Sequence, residues 1–418
     1  MPVSENSVVV IGGGIIGLTS ALHLAKLGYG VSLIDPGNIS ERASTATAGL
    51  IGGSAVIPWV SAKLWRELPR MLLDRQSALQ MSLPLPRGLP AYIAHCYKAG
   101  KPIARERSAD GLAGLSLIGY QCWMELLNGC QPGLDLFRQD GCGFLYLSDQ
   151  AAVDDESNNQ VRERLGMQLQ RLGSEQTIER IPALSIRLSG SVHVVKAGHV
   201  TDPVELQQQL SIIIKELGGR FVTSRVNGFS IKGGQVVGVR TDSGEYKACY
   251  FVIAAGTGSQ TLAAKLNCKI PLIAGFGSGL VLEQPNVKLQ APFLVLNEGF
   301  AVVPGYSGGQ NSLRVAGLVA IGAAKHPLQC QLLLQRVKRL FTDLKYKSIS
   351  SSSGPRPLTP DSLPLISRVP GYDNVILNCG HGHWGLTHAA GSAVLTGNIL
   401  TGSQPMIDAT PYRADRFH

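Results

Sequence analysis

Regular structure begins with an unbroken apolar run, "VVVI" at 8–11. A run without polar alternation predicts a strand buried on both faces, as a parallel sheet requires. Glycines follow, then "LTSALHLAKLGY" with apolar residues at helical intervals, then a second apolar run, "GVSLID", ending at Asp35. After Ile57 the pattern changes to bulky apolar helical faces broken by prolines, and helices are predicted near 113–128 and 157–172. Strand patterns return with "GGRFVTSRVNGF", "VVGVRTD" and "YKACYFVIAAG", and Asp202–Pro203 ahead of them reads as a helix start, an N-cap acceptor followed by proline. From 266 to 349 strand and turn patterns alternate, as in "IPLIAGFGSGLVLEQP", "FLVLNEGFAVVPGY" and "LRVAGLVAIG". An amphipathic helix, "LQCQLLLQRVKRLFTDL", follows them. A mostly antiparallel sheet is the natural reading of that block.

The glycines of the first unit sharpen the picture. Gly12, Gly14 and Gly17 stand in GxGxxG spacing between strand and helix. Gly12 allows the tight turn, Gly14 lets backbone approach a pyrophosphate, and Gly17 lets helix and sheet pack closely. The helix start offers N–H groups and a partial positive charge to phosphates. Asp35 is placed to accept from ribose hydroxyls. A dinucleotide is therefore expected. The next stretch, "ERASTATAGLIGGS" at 41–54, is built of small residues, so Ser44, Thr45, Gly49 and Leu50 can lie against a phosphate and a flat ring.

Composition narrows the class. The 418 residues suggest two domains, and 49 glycines well exceed the usual ~7%. The net charge of +9 is dispersed, with no run of five basic residues, which argues against nucleic-acid binding. Eight cysteines without a CxxC fit reduced thiols in a cytosolic protein. No apolar stretch reaches ~18 residues, and the N-terminus reads as lacking a signal peptide. A cytoplasmic protein is expected, with contact to the inner membrane surface left open; Trp59, Leu64, Trp65, Met71 and Leu72 either pack in the core or touch lipid.

The 351–402 block carries G-x-R-P-x-T-P-D-x-x-P, a strand, G-H-G-x-x-G-x-T and a closing helix. With the first sixty residues, it resembles the FAD-dependent D-amino acid dehydrogenases and glycine oxidases of the D-amino acid oxidase superfamily. The fold class this implies is α/β, with a Rossmann-like FAD-binding domain in three segments (1–80, 195–265, 350–418). A second α+β substrate or cap domain (81–194, 266–349) would contain the mostly antiparallel sheet. The resemblance implies FAD contacts at Gly12, Gly14, Ile15, Ile16, Gly17, Asp35, Ser44, Thr45, Gly49 and Leu50. It adds Val226 through its backbone, Ala255, Gly256, and the 382–387 segment (Gly382, His383, Trp384, Gly385, Leu386, Thr387).

In the same resemblance Arg356 binds the substrate carboxylate, which suits a guanidinium fork; the bland alternative is a structural ion pair with Asp361 or another acid. His383, Tyr306 and Trp384 are candidates to line the pocket, and no general base is required. "NCGHGHWGLTHAAGSA" is read as a glycine-opened helix start against the flavin, and no metal is expected. Two departures stand out: Thr47 replaces a frequent Asn, and 271–282 carries no Lys or Arg, which weakens oxygen as acceptor. The implied reaction is oxidation of a D-amino acid, or a cyclic amino acid, to the imine, with electrons passed to a quinone or another carrier. The alternative is maturation of a tryptophylquinone in a partner amine oxidase; a third is FAD held as a structural group.

Overall fold

The computed structural model describes residues 6–37, 43–52, 55–61, 64–66, 69, 74, 76–86, 88–130, 133–322 and 327–417. One sheet runs β10 (Arg220–Thr223), β2 (Gly30–Asp35), β1 (Ser7–Ile11), β14 (Tyr250–Ile253), β21 (Tyr372–Cys379), β20 (Leu365–Val369). All its pairs are parallel except β20 with β21. The apolar runs at 8–11, 251–253 and 375–377 are buried on both faces, which is why they do not alternate. On one face α1 (Ile15–Lys26) packs with α5 (Pro203–Glu216) and α7 (Gly385–Thr401).

A larger sheet runs β19 (Ser348–Leu358), β15 (Ile273–Glu283), β18 (Gln310–Ile321), β17 (Phe300–Ser307), β16 (Phe293–Val295), β6 (Cys142–Tyr146), β8 (Gly190–Val194), β7 (Leu169–Gly173). It is antiparallel except where β16 meets β6 and where β4 (Leu79–Met81) joins β18. Leu333, Val337 and Phe341, on and just after α6 (Pro327–Leu340), cover one face through Leu280, Leu282, Leu313 and Val315. The other face lines a cavity; α3 (Pro102–Leu126) packs on α7 and on α2 (Leu89–Ala99), and α4 (Asp149–Arg164) packs on β6 and β7. Two small sheets complete the set: β3 (Leu50–Ile51), β9 (Gly198–Val200), β5 (Phe137–Arg138), and β11 (Val226–Lys232), β12 (Gln235–Thr241), β13 (Gly244–Lys247).

Several expected elements divide. The strand read across 218–229 breaks at Ser224–Arg225: β10 stays beside β2, while β11 leaves to pair with β12. Ser224 N donates to the Asp35 carbonyl at 3.0 Å, which ends the ladder there. "YKACYFVIAAG" divides likewise between β13 and β14. The helix expected over 157–172 ends at Arg164, because Gly166 (φ +86°) turns the chain into β7. Residues 350–358, grouped by sequence with the nucleotide-binding segments, hydrogen-bond into the large sheet as β19.

Asp202 caps α5 as expected, accepting from Val204 N and Glu205 N at 2.9 and 3.2 Å. Trp59, Leu64 and Trp65 pack against Val60, Tyr92, Cys96 and Leu358 rather than facing solvent; Met71 and Leu72 lie outside the described residues. Among the described residues no helix is long and apolar enough to cross a membrane.

Candidate active site

Between the two large sheets lies a cavity of about 1200 Å³, larger than the ~300–1,000 Å³ of an ordinary small-molecule pocket. At its floor the β1–α1 turn works as the glycine spacing implies. Gly12 has φ +112°, and a Cβ there would meet the Ala254 carbonyl oxygen at 2.4 Å. A Cβ on Gly17 would stand 1.8 Å from the Gly12 oxygen, so helix and turn touch through bare backbone. Gly12, Gly14, Ile15, Ile16, Asp35, Ser44, Leu50, Val226, Ala255 and Gly256 line the cavity; Gly17, Thr45 and Gly49 stand behind it. Gly17 and Gly49 act through packing: Gly49 (φ +95°) presses on the Val200 oxygen.

The polar groups of this floor are mutually arranged. The Asp35 carboxylate accepts from Gly13 N at 2.6 Å and Gly37 N at 2.8 Å. Ser44 Oγ accepts from Ile15 N at 3.0 Å, the first N–H of α1. Thr47, in place of the frequent Asn, accepts from Gly49 N at 3.2 Å and so braces its own turn. Gln207 Oε1 and Asn378 Oδ1 are buried without a partner, and both residues line the cavity.

The opposite wall carries the charge. Arg356 extends from β19 across β15, where a Cβ on Gly277 would fall 2.0 Å from its Cζ. Gly275, Gly277 and Gly279 form a bare stripe on one strand face, over which Leu358, Arg356 and Ser352 cross. The charge missing from the 271–282 segment is thus supplied by a neighbouring strand. Arg356 donates one hydrogen bond, 2.8 Å to the Leu318 carbonyl, and Leu318 is held at φ +53°. Burial lowers its pKa, to about 10, and among the described residues no acid pairs with it. The ion pair with Asp361 does not form, because Asp361 is bound by Arg416 at 2.7 Å.

His383 borders the same space with its side chain open to the cavity, and the surrounding protein together with Arg356's charge lowers its pKa. Gly382 (φ +52°) through Thr387 line the cavity beside it and lead into α7, which begins at Gly385. Trp384 lines it too but leans on Leu112, Leu363 and Tyr412. Behind them His381 bonds Ser392 at 2.9 Å and His388 bonds Ser116 at 2.9 Å. Tyr306, expected at the pocket, is not there. It lies 51% exposed, two residues before the Gly308–Gly309 turn, and pairs with Asn311 across the end of the hairpin. Sequence reasoning missed Gly277, for which the period-two glycines of "AGFGSG" were the available signal.

A family model described as FAD dependent oxidoreductase matches residues 7–399. The chain belongs to this family. Among curated relatives of this flavoprotein, a D-amino-acid oxidase from Bradyrhizobium diazoefficiens is 27% identical, covering 98% of each chain. A D-amino acid dehydrogenase from Vibrio vulnificus is 28% identical over 95% of this chain and 96% of its own. Among solved structures, glycine oxidase from Geobacillus kaustophilus superposes with a TM-score of 0.74 at 20% identity, covering 97% of each. L-amino acid deaminase from Proteus vulgaris gives 0.72 at 18%, covering 100% of this chain and 95% of that one.

FAD is the cofactor of this family, and the residues present fit it. The flavoprotein offers a glycine cradle that a Cβ would fill, two helix starts (Ile15 and Gly385) on one cavity, and orphaned buried oxygens on Gln207 and Asn378.

Proposed function

We propose that this flavoprotein oxidises the CH–NH bond of a D-amino acid, or of a cyclic amino acid, to the imine, which hydrolyses to the oxo acid. The observation that carries the reading is Arg356: a cation with no acidic partner among the described residues, held at the cavity by Leu318 and given room by Gly277. Its remaining donors match a carboxylate in fork geometry. The names of relatives matched over nearly the whole chain support the same substrate class.

FAD, when bound, supplies the two-electron acceptor for the substrate's α-hydrogen. The chain's own contribution is positioning. Arg356 fixes the carboxylate, and through it the direction of the Cα–H bond, which is most of what such an oxidation needs from protein. His383, its pKa lowered by the surrounding protein and by Arg356, favours the neutral ring, which would not repel the cationic form of the incoming amine. The N–H groups at Gly385–Thr387 offer positive dipole ends to any negative charge placed over them. Gly12, Gly14, Ile15, Ile16, Asp35, Ser44, Leu50, Val226, Ala255 and Gly256 would hold the dinucleotide, with Gly17, Thr45 and Gly49 shaping the backbone behind it.

The acceptor in this reading is a quinone or another carrier. Strand β15 has no basic side chain of its own, and Arg356's charge is paired while a carboxylate is bound. Anaerobic mixing of the holoenzyme with D- and L-amino acids, followed by flavin bleaching, tests the proposal. Rapid bleaching by a D-amino acid supports it; no bleaching by any amino acid overturns it. Oxygen uptake with and without added quinone then reads the acceptor.

A further inference from the structure

The cavity does not stop at Arg356. Cross-strand partners Ala316, Ala301, Leu294 and Phe144 form one row over β18, β17, β16 and β6, and all four line it. Three strand spacings of ~4.8 Å carry this apolar floor about 14 Å from the strand that anchors Arg356. At its far end polar groups reappear: Arg105, Asp155, Asn158 and Arg162 also line the space. Arg162 stacks 4.3 Å over the Phe144 ring and is neutralised by Asp155 at 2.8 Å. Asp155 also accepts from Tyr146 Oη at 2.9 Å and from Asn158 Nδ2 at 2.8 Å.

Arg105 is different. Among the described residues it forms no ion pair, and its one side-chain hydrogen bond runs 3.2 Å to Asn158 Oδ1. Its Nε is buried with no partner. Burial lowers its pKa, and among the described residues no acid pairs with it or with Arg356. Holding a half-buried cation unpaired is costly, and a site that keeps two at opposite ends of an apolar trough is suited to a ligand with two anionic ends.

Resting on the reading that Arg356 takes the α-carboxylate, we propose that the substrate is an amino acid whose side chain ends in a second anionic group, a carboxylate or phosphate, held by Arg105. The apolar row between them takes the connecting methylenes. If the two guanidinium groups stand about as far apart as the β18 and β6 backbones, a ~2.9 Å hydrogen bond at each end leaves about 8 Å between anionic groups, roughly five or six methylenes. Aspartate is too short for both contacts.

The test uses the holoenzyme and needs no turnover. Succinate, adipate and suberate, with octanoate as a single-ended control, are titrated while the flavin absorbance band is followed. Suberate is expected to bind at least tenfold tighter than succinate and tighter than octanoate. In Arg105→Met that advantage of suberate over octanoate should collapse, and Arg105→Lys should restore part of it. Octanoate binding as tightly as suberate to the wild type overturns the proposal even where the variants fail to fold. D-2-Aminosuberate set against D-alanine in the bleaching assay then gives the substrate preference. If dicarboxylates show the length optimum but no D-amino acid bleaches the flavin, the proposed reaction fails while the two-ended site stands. If D-alanine bleaches as readily as D-2-aminosuberate and suberate has no advantage, the reaction stands and the distal anion site is lost.

Discussion

Gly277→Ala isolates the carboxylate clamp without touching the clamp residue. The added Cβ would lie 2.0 Å from Arg356 Cζ, and 2.2 and 2.4 Å from the two terminal nitrogens. Ordinary contact needs at least ~3.4 Å, so the guanidinium must move by about 1.4 Å. The clash is with the far end of a flexible side chain, not with backbone, so the sheet should fold and FAD should bind. A shift of that size breaks the 2.8 Å bond to the Leu318 carbonyl and the fork alignment with substrate. A hydrogen bond involving a charged group is worth ~1.5–3 kcal/mol, which predicts a weakening of carboxylate binding by ~10- to 150-fold. The assay is titration of the flavin absorbance with a simple carboxylate, alongside KM for a bleaching substrate, melting temperature and FAD content. Wild-type carboxylate affinity in a folded, FAD-loaded Gly277→Ala protein would refute the placement of the clamp.

Other outcomes follow from the same geometry. Arg356→Ala should weaken substrate or carboxylate-inhibitor binding by one to three orders of magnitude, read as KM or a dissociation constant, while leaving FAD content intact. Gly17→Ala forces its new Cβ against the Gly12 backbone oxygen at 1.8 Å, so it should destabilise the fold by ~1–3 kcal/mol or more, read as a lower melting temperature together with lower FAD retention. Asp202→Ala strips Arg314 of its buried partner, 2.8 Å away, and α5 of its cap, and should destabilise by ~3–5 kcal/mol in urea unfolding. His388 is fully buried with its pKa pushed down from 6.5 to about 3 by burial. Its folded pKa lies below the unfolded one, so its contribution is complete above pH 6.5 and is lost as pH falls from there toward 3. At pH 5 the expected loss is ~2 kcal/mol, and His388→Gln should show a flatter stability profile from pH 7 to 5.

Where backbone geometry dictates residue type, the sequence was readable. Gly12 and Gly17 must lack a Cβ, Asp202 must accept at a helix start, and the runs at 8–11 and 251–253 must be apolar throughout. Arg356 was legible through a long compound motif. What escaped is set by pairing between distant strands. Nothing local in "AGFGSG" says that β19 will lie beside it and send an arginine across, or that Leu318 will turn its carbonyl inward at φ +53°. Arg105 reads as one more basic residue on a helix until α4 places Asn158 rather than an acid against it. Tyr306 was misjudged because the Gly308–Gly309 turn, visible as "SGGQ", carries the end of the hairpin away from the cavity.

The position of β21 has a consequence for how the protein is made. This strand, drawn from residues 372–379, is interior to the parallel sheet, between β14 and β20, and the helix after it packs on α1 from the very start of the chain. A nascent polypeptide emerging from the ribosome therefore holds β14 as a raw, hydrogen-bond-hungry edge until residues 372–379 have been synthesised. Closure is a late, long-range event, slow by the logic of loop entropy, and the unfinished intermediate is the aggregation-prone species. Chaperone dependence and poor yield of C-terminally shortened chains are the practical signature.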